Sequence, residues 1–128
     1  MVTLEQIKAA HAKVKTGADF PAYTRQLTLL GLTHYTVEVR DGSATYFGPN
    51  QEPIHATPLY APIDIKTPGD PARLKQALER HQKGLTDYLA FCVQAADAGV
   101  ERWTTYLLEK EVRYIDTTEE VLLREPIP

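Results

Sequence analysis

The sequence predicts an α+β fold: two pseudo-symmetric helix-helix-strand-strand repeats sharing one largely antiparallel sheet, with helices on one face. Three observations point there. From Phe20 onward, residues 17–47 resemble residues 84–115 at an offset of 68, with Phe20 on Tyr88, Tyr23 on Phe91, Gly31 on Gly99, Tyr35 on Trp103, Thr36 on Thr104 and Tyr46 on Tyr114. A one-residue slip at Gly17/Gly84 carries the match upstream, with Ile7 on Leu74 and Ala10 on Ala77. Such an internal repeat fixes architecture before any single residue is interpreted. Within each copy, the apolar spacing then switches from helical to alternating, the period of a strand. Finally, a unit of about 45 residues cannot bury its own apolar face. The two copies are therefore expected to pack with approximate two-fold symmetry and join their hairpins.

Thr3-Leu4-Glu5-Gln6 fits a capping box, and Leu4, Ile7, His11 and Val14 share a helical face. Gly17 is expected to end this helix as a left-handed cap. Asp19 is expected to cap the next helix, with Pro21 in the first turn, where amides lack intrahelical partners. Phe20, Tyr23, Leu27 and Leu30 form its buried stripe, and Gly31 ends it. Tyr35, Val37 and Val39 then alternate with His34, Thr36, Glu38 and Arg40. Asp41-Gly42 signals a hairpin, and residues 43–47 return. Residues 54–65 are extended but interrupted by prolines, so they form an edge strand or a strap.

Asp70-Pro71 opens the second copy as a capping residue followed by proline at the first helical position. Leu74, Ala77, Leu78 and His81 share a face, and Gly84 stops the helix. Thr86 is expected to cap the following helix, whose main stripe is Tyr88, Phe91, Cys92 and Ala95 and whose end is Gly99. Residues 102–108 and 111–115 pair as a hairpin around Glu109-Lys110. Residues 121–124 make a last strand, and Pro126-Ile127-Pro128 is expected outside the sheet. The single domain thus divides into repeat one (3–48), a connecting strap (49–69), repeat two (70–116) and a C-terminal strand segment (117–128).

Composition narrows the function classes. A chain of 128 residues with 43% apolar and 24% charged residues is ordinary for a globular domain. A net charge of −3, with lysines and arginines scattered, argues against nucleic acid as a partner. The single cysteine, Cys92, excludes an intramolecular disulfide and a Cys-rich zinc site. It lies mid-helix with no basic residue one turn away, so it is expected to be an inert core thiol. His11 and His81 occupy apolar-face positions and are expected to be core or boundary residues. No His-x3-His or His-Glu-x2-His spacing occurs, and no dinucleotide fingerprint, phosphate loop, nucleophile elbow or calcium loop, so neither metal nor cofactor is expected. No apolar signal core or membrane-length apolar run appears, which leaves the cytoplasm as the expected compartment and no membrane partner.

Two surfaces are candidates for function. If helices cover one side of the sheet only, His34, Thr36, Glu38 and Arg40 from the first copy and Arg102, Thr104 and Tyr106 from the second line an open face across the pseudo-dyad. Phe47 and Tyr106 would supply apolar area there, and Arg102 and Glu38 orientation. The helix at residues 87–98 has a second apolar side, Leu89, Val93 and Ala96. It is expected either to be central, with neighbours on both sides, or to expose a self-association surface.

Val14-Lys15-Thr16-Gly17-Ala18-Asp19-Phe20-Pro21-Ala22-Tyr23, followed by Leu30-Gly31-Leu32-Thr33-His34-Tyr35, resembles a small bacterial and prophage-borne family of unknown function. Gly84-Leu85-Thr86-Asp87-Tyr88, then Phe91-Cys92 and Ala98-Gly99-Val100-Glu101-Arg102-Trp103, resembles that family's second half. Some members carry the label "phage envelope protein". The resemblance covers essentially the whole chain and implies no activity or catalytic residue. The expected function is a non-enzymatic module that binds a protein partner or small molecule at the face between the repeats. The rivals are a small hydrolase or isomerase using His34, Glu38 and Arg102, and a structural homodimer.

Overall fold

The computed structural model describes residues 1–128. Helix α1 (Leu4–His11) opens with the expected capping box: Thr3 Oγ1 accepts from the Gln6 amide, and the Gln6 side chain accepts from the Thr3 amide. It ends at His11, not at Gly17. The reason is local side-chain competition for backbone amides. Asp19 accepts from the amides of Lys15 and Thr16, and Thr16 Oγ1 accepts from Ala18, which together wind residues Gly17–Asp19 into a 3-10 turn. Asp19 is therefore spent on the turn and makes no side-chain cap on α2 (Phe20–Leu29).

Strands β1 (His34–Glu38) and β2 (Ala44–Phe47) form the first hairpin, and Asp41 Oδ1 holds its loop by accepting from the Ser43 amide at 2.9 Å and hydroxyl at 2.7 Å. Strand β3 (Ile54–Ala56) adds a short edge. The proline-rich strap beyond it is pinned by backbone bonds from Ile63 to Arg40 and from Lys66 to Ala96.

Helix α3 (Pro71–Gln82) is capped by Asp70 as expected. Helix α4 (Tyr88–Asp97) is capped by Asp87 rather than Thr86. Thr86 is engaged elsewhere: its carbonyl and hydroxyl both lie 3.0 Å from His81 Nδ1. Gly99 turns the chain out of α4 with φ +88°, and a Cβ there would lie 2.5 Å from Gly69 Cα, so only glycine lets the strap pass.

Strands β4 (Arg102–Tyr106), β5 (Glu111–Ile115) and β6 (Val121–Pro126) complete a six-stranded sheet of order β3-β2-β1-β4-β5-β6, antiparallel throughout. Pro126 pairs with Glu111, contrary to the expectation that it lies outside the sheet. Its missing amide is tolerated because β6 is an edge strand. The Ile127 amide then donates to the Lys110 carbonyl, and its side chain is buried.

Directly paired residues share a face. Tyr35, Val37, Ala44 and Tyr46 of the first hairpin and Trp103, Thr105, Val112 and Tyr114 of the second point the same way, and all are buried. The helices pack on this side: the Tyr23 ring of α2 lies 6.2 Å from Tyr35, and Phe91 of α4 lies 5.6 Å from Trp103. Helix α4 is not enclosed all round. Leu89 and Val93 are 52% and 43% exposed, whereas Ala96 is 2% exposed beneath the strap and is unable to join a self-association surface. No helix is long and apolar enough to cross a membrane.

Candidate functional site

Helices and sheet do not close fully on each other. A cavity of about 340 Å3 lies between them, and every helix and every strand contributes to its wall. Protein interiors seldom hold voids much larger than a water molecule; this volume falls within the range of small-molecule sites. Tyr35, Ala44, Tyr46, Trp103 and Tyr114 form the floor on the sheet. Tyr23, Tyr88 and Phe91 stand opposite on α2 and α4.

Two histidines sit in this wall. The His11 ring lies edge-on to Tyr23 at 5.4 Å and to Tyr88 at 4.9 Å. His81 stacks on Phe91 at 4.6 Å and uses Nδ1 toward Thr86. Burial lowers the proton affinity of both, although at His81 the Thr86 bond and the Asp87 charge oppose it. Burial pushes the phenols of Tyr23, Tyr35, Tyr46, Tyr88 and Tyr114 upward, so they stay neutral. The hydroxyls of Tyr23 and Tyr46 meet at 3.5 Å. Glu125 on β6 also lines the cavity, accepting from the Tyr114 hydroxyl at 3.1 Å and from the Gln82 side-chain amide. Its carboxyl is raised by burial, against the pull of those two bonds. Cys92 is buried outside the wall, its thiol pushed up to about 11 by burial. Neutral aromatic side chains line this space together with His11, His81, Lys8 and Glu125.

The opposite sheet face carries most of the residues singled out by sequence. Phe47 and His34 stack at 4.4 Å and 7°, Tyr106 lies 6.2 Å from His34 at 14°, and the Arg113 guanidinium lies 4.6 Å above Tyr106. In the next row, Thr36 and Thr104 share a hydrogen bond of 2.9 Å, but Thr104 is only 8% exposed and offers little to a partner. Glu38 lies opposite Arg102, which binds Glu119 and, at 3.4 Å, Glu101. Arg40 is not in this array. It lies in the hairpin loop beyond β1 and, with Glu38, Asp41, Asp64 and Glu101, lines a separate polar hollow. His34 and Glu38 stand at opposite ends of β1, about 13 Å apart at ~3.3 Å per residue. The acid–base pair required by the hydrolase or isomerase reading is therefore not assembled.

Sequence reasoning missed the cavity. In the sequence Tyr23 and Tyr88 lie on helix stripes, His11 and His81 read as core or boundary residues, Tyr46, Trp103 and Tyr114 stand out only as matched repeat positions, and Glu125 carries no signal. One signal was present: a histidine on the apolar face of the first helix of each copy.

The fold and its interior define an α+β protein built around an aromatic cavity. Residues 8–126 match the model of the family described as "Protein of unknown function (DUF1398)", and the chain belongs to that family. No curated protein matches the sequence.

Proposed function

We propose that this protein is a non-enzymatic module that binds one small, largely apolar ligand in the cavity where its two halves meet. The observation that carries this is the 340 Å3 volume walled by neutral aromatic side chains from both halves.

The reading includes an internal duplication, which puts the cavity on the axis relating the halves. Its support is the strand register. The pairs His34↔Phe47, Tyr35↔Tyr46, Thr36↔Thr45 and Val37↔Ala44 have counterparts 68 residues on: Arg102↔Ile115, Trp103↔Tyr114, Thr104↔Arg113 and Thr105↔Val112. The third strands correspond with one further residue of offset, Thr45↔His55 to Arg113↔Arg124. Thr36 and Thr104, related by that offset, also pair with each other across the central strands, so the axis passes between them. Tyr35 and Trp103, Tyr46 and Tyr114, and Tyr23 and Phe91 then line the cavity as related pairs.

Trp103 is the only tryptophan and lines the cavity, so its fluorescence reports on occupancy. Titration with the neutral fluorophore aminoanthracene is expected to quench it saturably at one equivalent. Ala44→Phe, which fills the floor, is expected to weaken binding by about tenfold or more, about 1.4 kcal/mol. Non-saturable quenching, or equal binding by a folded Ala44→Phe protein, overturns the proposal.

The stacked row Phe47–His34–Tyr106 favours a second reading, in which the open face docks a protein partner. Cross-linking in the native host is expected to trap that partner on wild type and not on Tyr106→Asp. Identical capture by both proteins rules this reading out.

A further inference from the structure

We propose that the cavity selects a ligand with two unlike ends: an ammonium or similar cationic donor placed against Glu125, and an apolar body against the aromatic walls. This rests on the cavity being a ligand site.

One carboxylate in the cavity wall has no ion-pair partner. Glu125 lines the cavity and is only partly exposed, yet it takes part in none of the protein's ion pairs. Its two hydrogen bonds come from neutral donors, the Tyr114 hydroxyl and the Gln82 amide. Arg124 is adjacent in sequence but pairs with Arg113 on the opposite face of the sheet. Lys8 is the one lysine or arginine in the cavity wall, and it is exposed on α1 without an ion pair to Glu125. A carboxylate withdrawn from water is costly unless a cation meets it, and each oxygen retains capacity to accept another donor.

The aromatic part of the wall favours the same charge. Trp and Tyr faces attract ammonium groups through the ring quadrupole, most strongly where water is excluded. Trp103, Tyr46, Tyr88 and Tyr114 present such rings to the cavity. An anionic ligand would find no arginine there, and only Lys8, exposed on α1, as a lysine. The duplication makes the site asymmetric. Glu125 pairs with Val112, as Ala56 pairs with Ala44 in the first half, so the position equivalent to the carboxylate is a methyl group that also lines the cavity. One end is charged and its counterpart is apolar.

The test compares three probes of one shape, phenylbutylamine, phenylbutanol and phenylbutyrate, by calorimetry at neutral pH on wild type and Glu125→Gln. The amine is expected to bind about tenfold more tightly than the alcohol, with the butyrate weakest. Glu125→Gln is expected to abolish the amine's advantage over the alcohol, and saturable binding of the alcohol by this variant shows that the cavity is intact. If the alcohol binds but the amine is no tighter, or keeps its advantage in Glu125→Gln, the charge inference is wrong and the cavity reading stands. If none of the three binds wild type, both are overturned.

Discussion

Replacing Gly17 with alanine tests how the rim of the cavity is held. An added Cβ would lie 2.6 Å from His81 Cδ2 and 2.7 Å from the His81 carbonyl carbon and oxygen. Ordinary contact begins at 3.4 Å, so the 3-10 turn and the end of α3 must separate by about 0.8 Å. Two of the three obstructing atoms belong to the backbone, so no rotamer change relieves them. Overpacking of this kind costs about 1–3 kcal/mol, or a Tm lower by roughly 4–12 °C at about 4 °C per kcal/mol. Gly17 does not have a left-handed φ, so this loss is steric. Gly31→Ala is the complementary control, because Gly31 has φ +99° and nothing within 4 Å of an added Cβ. Its cost, about 1–2 kcal/mol, is conformational. Thermal melts followed by circular dichroism measure both. Gly17→Ala is also expected to weaken aminoanthracene binding, because it displaces His81 in the wall, whereas Gly31→Ala leaves binding unchanged. A Gly17→Ala protein that melts with wild type and binds equally well refutes this account of the rim.

Three further outcomes are expected. Leu89 and Val93 leave apolar side chains exposed on the outside of α4; sedimentation at high concentration is expected to show weak self-association that Val93→Lys removes, and an unchanged monomer contradicts it. Cys92 is expected to resist a thiol reagent at mildly alkaline pH until the protein unfolds, because burial both shields it and keeps it protonated; rapid native labelling contradicts this. The third concerns pH. His11 and His81 are lowered from 6.5, so the unfolded chain binds more protons just below that value. The stability they contribute is present above about pH 6.5 and is lost as pH falls toward their folded values. Glu125, raised from 4.5, acts in the opposite sense, so the comparison is made with a His11→Gln/His81→Gln protein, whose denaturation profile is expected to be flatter between about pH 7 and 5. Parallel profiles contradict the assignment.

Much of the fold was legible in the sequence because local patterns determine it. Alternation around Tyr35 and Val37, the Thr3 capping box and Asp70-Pro71 each encode one element through nearby residues. The misreadings occurred where a side chain had two possible partners. Asp19 is a sound cap by type but is drawn to Lys15 and Thr16, and Thr86 is drawn to His81, leaving Asp87 to cap α4. Gly17 resembles a helix terminator, yet its lack of a side chain serves a close approach to α3 from far along the chain. The cavity was illegible for a related reason. An aromatic residue on an apolar face looks the same whether it fills a core or lines a space. The separation between helices and sheet is set by all the facing side chains together. Glu125 gains meaning only when β6 brings it beside Tyr114.

The most direct measurement is a chemical-shift map of the protein titrated with phenylbutanol. The side-chain resonances of Tyr23, Tyr46, Tyr88 and Trp103 are expected to move together and saturate at one equivalent, while those of His34, Phe47 and Tyr106 stay still. Shifts confined to the open-face row, or spread over the surface without saturation, would contradict the cavity reading.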